Sequence, residues 1–344
     1  MKNSFFILFV LQVIFTNAQD LHFSQTAQTP LLINPASAGV FEGWQRVIIN
    51  QRTQWLGATT SFMTTSFAGD FTLFKKERGN KSYLGLGAIF NTDVGGDGRF
   101  GSQSGTLSLS GILPIAKSAH TLSVGLLGGF GSRKGDISKL SFENQWNSSS
   151  YAFDPALLSG ESANLNNFSY LDVGTGVYYL YNPGKTTFAR NNELKFQFGA
   201  SVYHINEPFL KYTNGTDDRL HKKIVIHSGI VKDIVGSNVS IDGSIVQFIQ
   251  GGHYATILGS MIRYRFQEGT KLTGFSQNAY FGFGLYMRVK DAIIPSILID
   301  YKGLKFGVSY DVTISNLKRA YGGGSVEFSL SFSNLNKGLF KSAR

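Results

Sequence analysis

The 344 residues include 40 Gly, 29 Phe and 15 Tyr but no Cys, and only 16% are charged, against about 25% in ordinary soluble domains. Low charge with many aromatics excludes a disordered chain, and the missing thiols exclude a disulfide scaffold, thiol catalysis, iron–sulfur clusters and thiolate zinc sites. The net charge of +10 suits an anionic partner surface but does not bear on fold.

The chain opens with Lys2, an apolar run from Phe5 to Phe15, and small residues ending at Ala18. That order reads as a cleaved secretory signal peptide over residues 1–18, too short for a membrane-spanning helix. Gln19 follows and no Cys is present, so a lipoprotein anchor is excluded. No later stretch approaches the roughly 18 consecutive apolar residues of a membrane helix. Residues 19–43 lack alternation and contain Pro30 and Pro35, which argues against a sheet strand. Phe23, Leu31, Leu32 and Ile33 beside Gln and Asn suit a plug segment at the periplasmic mouth, with a turn at Asn34-Pro35.

From residue 44 to 333 the pattern has period two. In 194–202, Leu194, Phe196, Phe198, Ala200 and Val202 share one face, and Lys195, Gln197, Gly199 and Ser201 the other. Leu107, Leu109 and Leu113 likewise oppose Ser104, Thr106, Ser108 and Ser110. Successive strand side chains point to opposite faces, so each run has an oily and a polar side. The pattern predicts about fourteen strands, near 44–55, 60–74, 82–92, 102–113, 120–133, 168–181 and 193–205 in the first half. The second half holds 222–233, 237–249, 253–267, 277–289, 292–301, 303–313 and 323–333. Soluble strands average about 5–6 residues, whereas crossing a bilayer takes about 9–11. A soluble sandwich would also carry many charges on its wet face; here that face is mostly Gly, Ser, Thr, Asn and Gln. Open sheets leave backbone groups unpaired in lipid, so the fold class is all-β, a closed antiparallel transmembrane β-barrel.

Trp44, Trp55, Tyr178, Tyr179, Tyr181, Tyr254, Tyr264, Phe266 and Tyr301 lie near strand ends, as interfacial girdles do. Short connections at 235–237 and 302–303 read as periplasmic turns, and longer ones at 134–167, 206–221 and 268–276 as outer loops. Both termini are expected on the periplasmic side, with 334–344 as a tail. With the oily face outward, Arg46, Arg52, Lys195, Arg263, Arg265, Arg288 and Lys305 face the lumen. So do Asp70, Asp172, Asp242, Asp311 and Glu327. Charges on the lipid face cost about 2–4 kcal/mol at midplane. Two readings of this set remain open: an ion-pair lattice that stiffens the barrel, or an anion-biased channel or docking socket.

The search for chemistry returns no catalytic, cofactor-binding or metal-binding residue. Gly96-Asp97-Gly98-Arg99-Phe100-Gly101 matches a dinucleotide fingerprint, but strand alternation follows it where a helix is needed. Asn91, Asp93 and Asp97 fit no EF-hand spacing, so a loop outweighs a calcium site.

Residue signatures carry a resemblance. The mature start reads Gln19-Asp20, Phe23-Ser24-Gln25, Asn34-Pro35-Ala36, Ala38-Gly39 and Arg52-Thr53-Gln54-Trp55. Further on come Asn91-Thr92-Asp93 with Gly95, Ser201-Val202-Tyr203-His204 with Pro208, and Arg288-Val289-Lys290-Asp291-Ala292. Ser309-Tyr310-Asp311 with Ser315, then Gly323-Gly324 with Glu327-Phe328, close the set. In this order they resemble the PorP/SprF family, outer-membrane proteins of the type IX secretion and gliding-motility system of Bacteroidetes. Gln51 departs from the aromatic common before the arginine in that family. The resemblance implies a non-enzymatic barrel of the outer membrane, without cofactors, that helps to deliver or anchor large cell-surface proteins such as adhesins. The implied partners are outer-membrane lipid, a secreted surface protein with a C-terminal sorting domain, and secretion components including a periplasmic peptidoglycan-binding protein, with no nucleic acid. The alternative is a porin or FadL-like barrel transporting small molecules.

Overall fold

Period-two alternation becomes a wall with no ends. The computed structural model describes residues 20–55, 61–76, 81–96, 98–115, 119–136, 140–160, 166–183, 194–212, 218–267, 279–315 and 324–335. The signal peptide, Asp97, the loop expected at 268–276 and the tail from 336 lie outside them. The strands are β1 (Gln45–Gln54), β2 (Phe62–Leu73), β3 (Tyr83–Gly95), β4 (Phe100–Pro114) and β5 (His120–Lys134). Two short loop strands follow, β6 (Trp146–Asn147) and β7 (Ala152–Phe153), then β8 (Phe168–Tyr181), β9 (Leu194–Tyr203) and β10 (Lys223–Asp233). The second half holds β11 (Val239–Gln250), β12 (His253–Gln267), β13 (Ala279–Arg288), β14 (Ala292–Tyr301), β15 (Leu304–Thr313) and β16 (Ser325–Asn334).

All but β6 and β7 form one closed antiparallel barrel of fourteen strands. Each strand pairs with its neighbours in order, and β1 closes on β16 from Gln45↔Asn334 to Gln54↔Ser325. Closure removes the sheet edge, so ladder groups are paired within the wall. The observed boundaries lie within a few residues of those read from the sequence.

The oily face points outward, with Leu107, Leu126, Leu171, Phe283, Ile297 and Phe332 all exposed. Tyr254, Tyr264, Phe266 and Tyr301 are exposed as well, consistent with the girdle expectation. Tyr178 is not: it is buried, and its hydroxyl donates to Gln197 Oε1 at 2.6 Å. Its position has the inward parity of β8, which decides its direction ahead of its closeness to the strand end.

Alternating strand direction sorts the connections. One end of the barrel carries the start of β1, the end of β16 and the turns 234–238 and 302–303. The other carries the long connections β5–β8 and β9–β10. Long loops mark the outer face of such barrels, so these are the inner and outer ends. The expectation of an outer loop at 268–276 is corrected, because β12 ends and β13 begins at the inner end. Its length suggested an outer loop, but strand direction sets the side.

Residues 20–43 run along the lumen. Pro30 begins a single α-turn (Pro30–Ile33) and Pro35 a 3-10 turn (Pro35–Ser37), in first-turn positions where a missing N–H costs nothing. Ile33 packs in a luminal cluster with Leu127, Tyr203, Val225, Val246, Phe248 and Ile257, while Leu31 and Ala38 pack with Ile89. Burying Leu31 and Ile33 contributes about 1.5–3 kcal/mol each. This segment was expected at the periplasmic mouth. It instead spans most of the lumen, with Asp20 to Gln25 beside the outer ends of β1, β10, β13, β15 and β16, because its hydrogen-bonding partners are spaced along the wall.

Candidate functional site

The best-defined polar site is the contact between this segment and the inner wall, beginning at the outer end. Arg52 at the end of β1, Arg288 at the end of β13, Asp311 near the end of β15 and Glu327 near the start of β16 converge there. Inward parity puts all four charges in the lumen, as the sequence implies. The Ser24 N–H donates to both Glu327 oxygens (2.7 and 2.9 Å), and the Gln25 N–H to Oε2 (3.0 Å). Ser24 Oγ donates to Asp311 Oδ2 at 2.7 Å and accepts from Arg288 Nη1 at 3.2 Å. Arg52 Nη1 donates to the His22 carbonyl at 2.7 Å while its Nε lies 3.2 Å from Glu327. The four strands hold two cations and two anions whose remaining hydrogen-bonding capacity fits residues 22–25. Buried charges persist only when paired and hydrogen-bonded in this way.

Asp20 forms a second clasp. Its N–H donates to Gln250 Oε1 at 3.0 Å, and its carboxylate accepts from Lys223 Nζ at 3.0 Å. His204 Nε2 stands 3.5 Å from that carboxylate, and His204 Nδ1 is 2.9 Å from Asp172. Burial raises the Asp20 carboxyl, but Lys223 and His204 outweigh it and hold the group well below the usual carboxylate range. Burial lowers the His204 imidazole, but Asp172 and Asp20 outweigh it and push the group up to about 9.

Deeper in the lumen, Asn34 caps the turn after it by accepting from the Ala36 N–H at 2.9 Å. The turn expected at Asn34-Pro35 forms there, well inside the barrel. Asn34 Nδ2 also donates to the Val177 carbonyl at 2.8 Å and meets His227 Nε2 at 3.1 Å. Ser123 Oγ donates to the Ala36 carbonyl, and Ser110 Oγ to the Ala38 carbonyl. Where the segment backbone comes close to the wall the wall residues are Gly85 and Gly125; a Cβ there would run into the Ala38 carbonyl and the Ala36 backbone. At the inner end the Gly39 N–H donates to Asp70 Oδ2 at 2.9 Å, and Arg46 grips both Asp70 oxygens at 2.8 Å.

Of the twelve strand charges read as luminal, Arg46–Asp70, Arg52–Glu327, Arg288–Asp311 and Arg263–Asp242 pair with one another. Arg265 pairs with Asp233, Lys195 with Glu42, Lys305 with Asp300, and Asp172 with His204. The lattice reading therefore describes them, and several of its anions bind the segment as well as an arginine. Sequence reasoning gave no site role to Lys223, His227 or Asp233, and quoted Asp20 and His204 only within the signature runs. The parity of β10 would have placed Lys223, His227 and Asp233 inside; nothing in the sequence pointed to Asp20 or His204 as a pair.

Beyond the lumen, the outer connection of β5 to β8 carries a small ordered ribbon. Trp146 pairs with Phe153 and Asn147 with Ala152 across β6 and β7. Gln145 Nε2 donates to the Leu157 carbonyl, and Asn147 Oδ1 accepts from the Ser149 N–H, fixing the tip. Around this scaffold Trp146 and Phe153 stand out of the protein, with Tyr151 81% and Leu158 89% exposed. Gly96, Gly98 and Arg99 lie between β3 and β4, and a strand rather than a helix follows them. Among the described residues no three His, Asp or Glu side chains are grouped to hold a metal ion.

Comparison with known proteins identifies the family. Residues 15–332 match the family described as type IX secretion system membrane protein PorP/SprF. The chain belongs to the PorP/SprF family. It is accordingly a non-enzymatic outer-membrane barrel of that secretion system. No curated protein matches it. Among solved structures, the Ralstonia pickettii toluene transporter TbuX is 11% identical with a TM-score of 0.48, covering 89% of this chain and 92% of that one. Pseudomonas putida OprB is 9% identical with a TM-score of 0.34, covering 89% and 95%. The translocator domain of NalP from Neisseria meningitidis is 9% identical with a TM-score of 0.31, covering 85% and 89%. Likenesses this distant carry no functional argument, and the barrel rests on its own strand pairing.

Proposed function

We propose that this PorP/SprF barrel is a closed membrane anchor that acts through its two ends rather than its lumen. Its outer loops, chiefly 140–160, hold or hand over a surface protein exported with a C-terminal sorting domain, such as an adhesin. The inner face meets periplasmic secretion components, including a peptidoglycan-binding protein, after the signal peptide over 1–18 has been cleaved. The observation that carries this reading is the occupied lumen, with residues 20–43 hydrogen-bonded to the wall from Glu327 at the outer end to Asp70 at the inner. A barrel of this size left empty would pass water and solutes, and no folded protein could cross it. The ordered ribbon holding Trp146, Tyr151 and Leu158 in solvent suits a protein partner, since fixed exposed apolar groups mark interaction surfaces.

The test is a Trp146→Ser, Tyr151→Ser, Leu158→Ser variant expressed in the native host. It should fold and reach the outer membrane normally yet lose surface display of one partner protein. An unchanged surface proteome, together with large selective solute flux through the wild-type protein in liposomes, would establish small-molecule transport instead.

A further inference from the structure

Pro295 lies within β14, in a wall that has no edge strand. Proline lacks an N–H and is ordinarily confined to edges or bulges. The β14–β15 ladder runs from Ala292↔Thr313 to Tyr301↔Leu304, but is interrupted where Ile294 and Pro295 stand opposite Asp311 and Tyr310. Immediately behind this break is a luminal cavity of about 40 Å³ lined by Met261, Tyr286, Ile294, Leu298, Ser296 and Ser309, with Ala27 of the luminal segment on its opposite side. At about 10–15 Å³ per water, it has room for about three non-hydrogen atoms without rearrangement.

Ser24, Gln25 and Asp242 at the rim of the cavity are bonded elsewhere, but two of its hydroxyls are unsatisfied. Ser296 and Ser309 are cross-strand partners, both more than nine-tenths buried, and neither hydroxyl has a hydrogen-bond partner among the described residues. Buried hydroxyls are normally paired, and each left alone costs about 1–3 kcal/mol. Two adjacent free hydroxyls facing Met261, Ile294 and Leu298 call for one polar group on an aliphatic body. We infer that this cavity binds the hydroxyl-bearing end of a small aliphatic molecule, reached from the bilayer through the wall at Pro295. The hydroxyl pairs with Ser296 and Ser309, and the carbon chain lies against the apolar lining.

The probe is carbon-13-labelled ethanol, whose three non-hydrogen atoms match the room available, followed by carbon-13 NMR on the full mature protein in detergent micelles. A bound resonance in slow or intermediate exchange is expected, weakened at least tenfold in Ser296→Ala/Ser309→Ala. It should be absent in Ala27→Phe, which fills the cavity from the segment and leaves the Glu327 and Asp20 contacts intact. Pro295→Val, which can restore the missing ladder donor, should slow exchange without displacing the bound position. Equal signals in wild type and Ala27→Phe would mean micelle partitioning only and overturn the site. A crystal structure soaked in the probe that shows only ordered waters on Ser296 and Ser309 would also overturn it. Unchanged exchange in Pro295→Val would overturn the route through the wall.

Discussion

Glu327 shows how one buried side chain can hold two parts of a chain together. It sits on β16, pairs with Arg52 on β1 across the closing seam, and accepts two backbone N–H groups from the luminal segment. Removing one partner of a buried pair leaves the other charge uncompensated, which costs about 3–5 kcal/mol. Glu327→Ala is expected to destabilise the barrel by about that amount in denaturant titrations in lipid vesicles. Glu42→Ala should cost at most about 1 kcal/mol, because its pair with Lys195 is largely exposed. His204 supplies a pH dependence of known sign. Its folded value is raised to about 9 from an ordinary 6.5, so the clasp on Asp172 and Asp20 contributes fully below about pH 6.5. That contribution fades as pH rises through about 9. Thermal unfolding midpoints should fall across that window in the wild type, and His204→Gln should flatten the fall.

The luminal segment is the element that sets this barrel apart from a pore. Its tightest approaches are to glycines, so bulk added on the wall is a direct test of docking. Gly125→Val would drive a side chain into the Ala36 backbone, which the Ser123 hydrogen bond holds close. We expect the strands to pair normally and the segment to leave its seat, seen as faster protease cleavage within residues 20–43 of the reconstituted protein. Unaltered cleavage would mean that the wall, not the segment, yields. The signature runs Phe23-Ser24-Gln25, Asn34-Pro35-Ala36 and Ala38-Gly39 acquire a physical reading here. Each lies at a point where segment backbone or side chain meets the wall.

At the scale of the whole molecule, a fourteen-strand wall with an occupied lumen should conduct poorly. Planar-bilayer recordings are expected to show low conductance for the wild-type barrel and a several-fold increase when residues 26–39 are replaced by a Gly/Ser linker. High wild-type conductance would mean that the segment leaves the lumen readily in a membrane.

The strands, their number and their inward charges were legible because alternation is a local property. Whether Arg52, Asp311 or Glu327 faces lipid or lumen follows from parity alone, and lipid permits only one answer. The segment was legible only as something other than a strand, through Pro30 and Pro35. Its depth was not, since the Ser24–Glu327 contact joins residues about 300 positions apart and leaves no periodic trace. The side of each connection was similarly misread at 268–276, because loop length is a weaker guide than strand direction, which counts every strand before it. The sequence by itself determined which residues face lipid, a choice made one residue at a time by the cost of burying charge in hydrocarbon. Only the tertiary structure decided what fills the lumen, because that depends on hydrogen bonds that exist only once all fourteen strands have closed around residues 20–43.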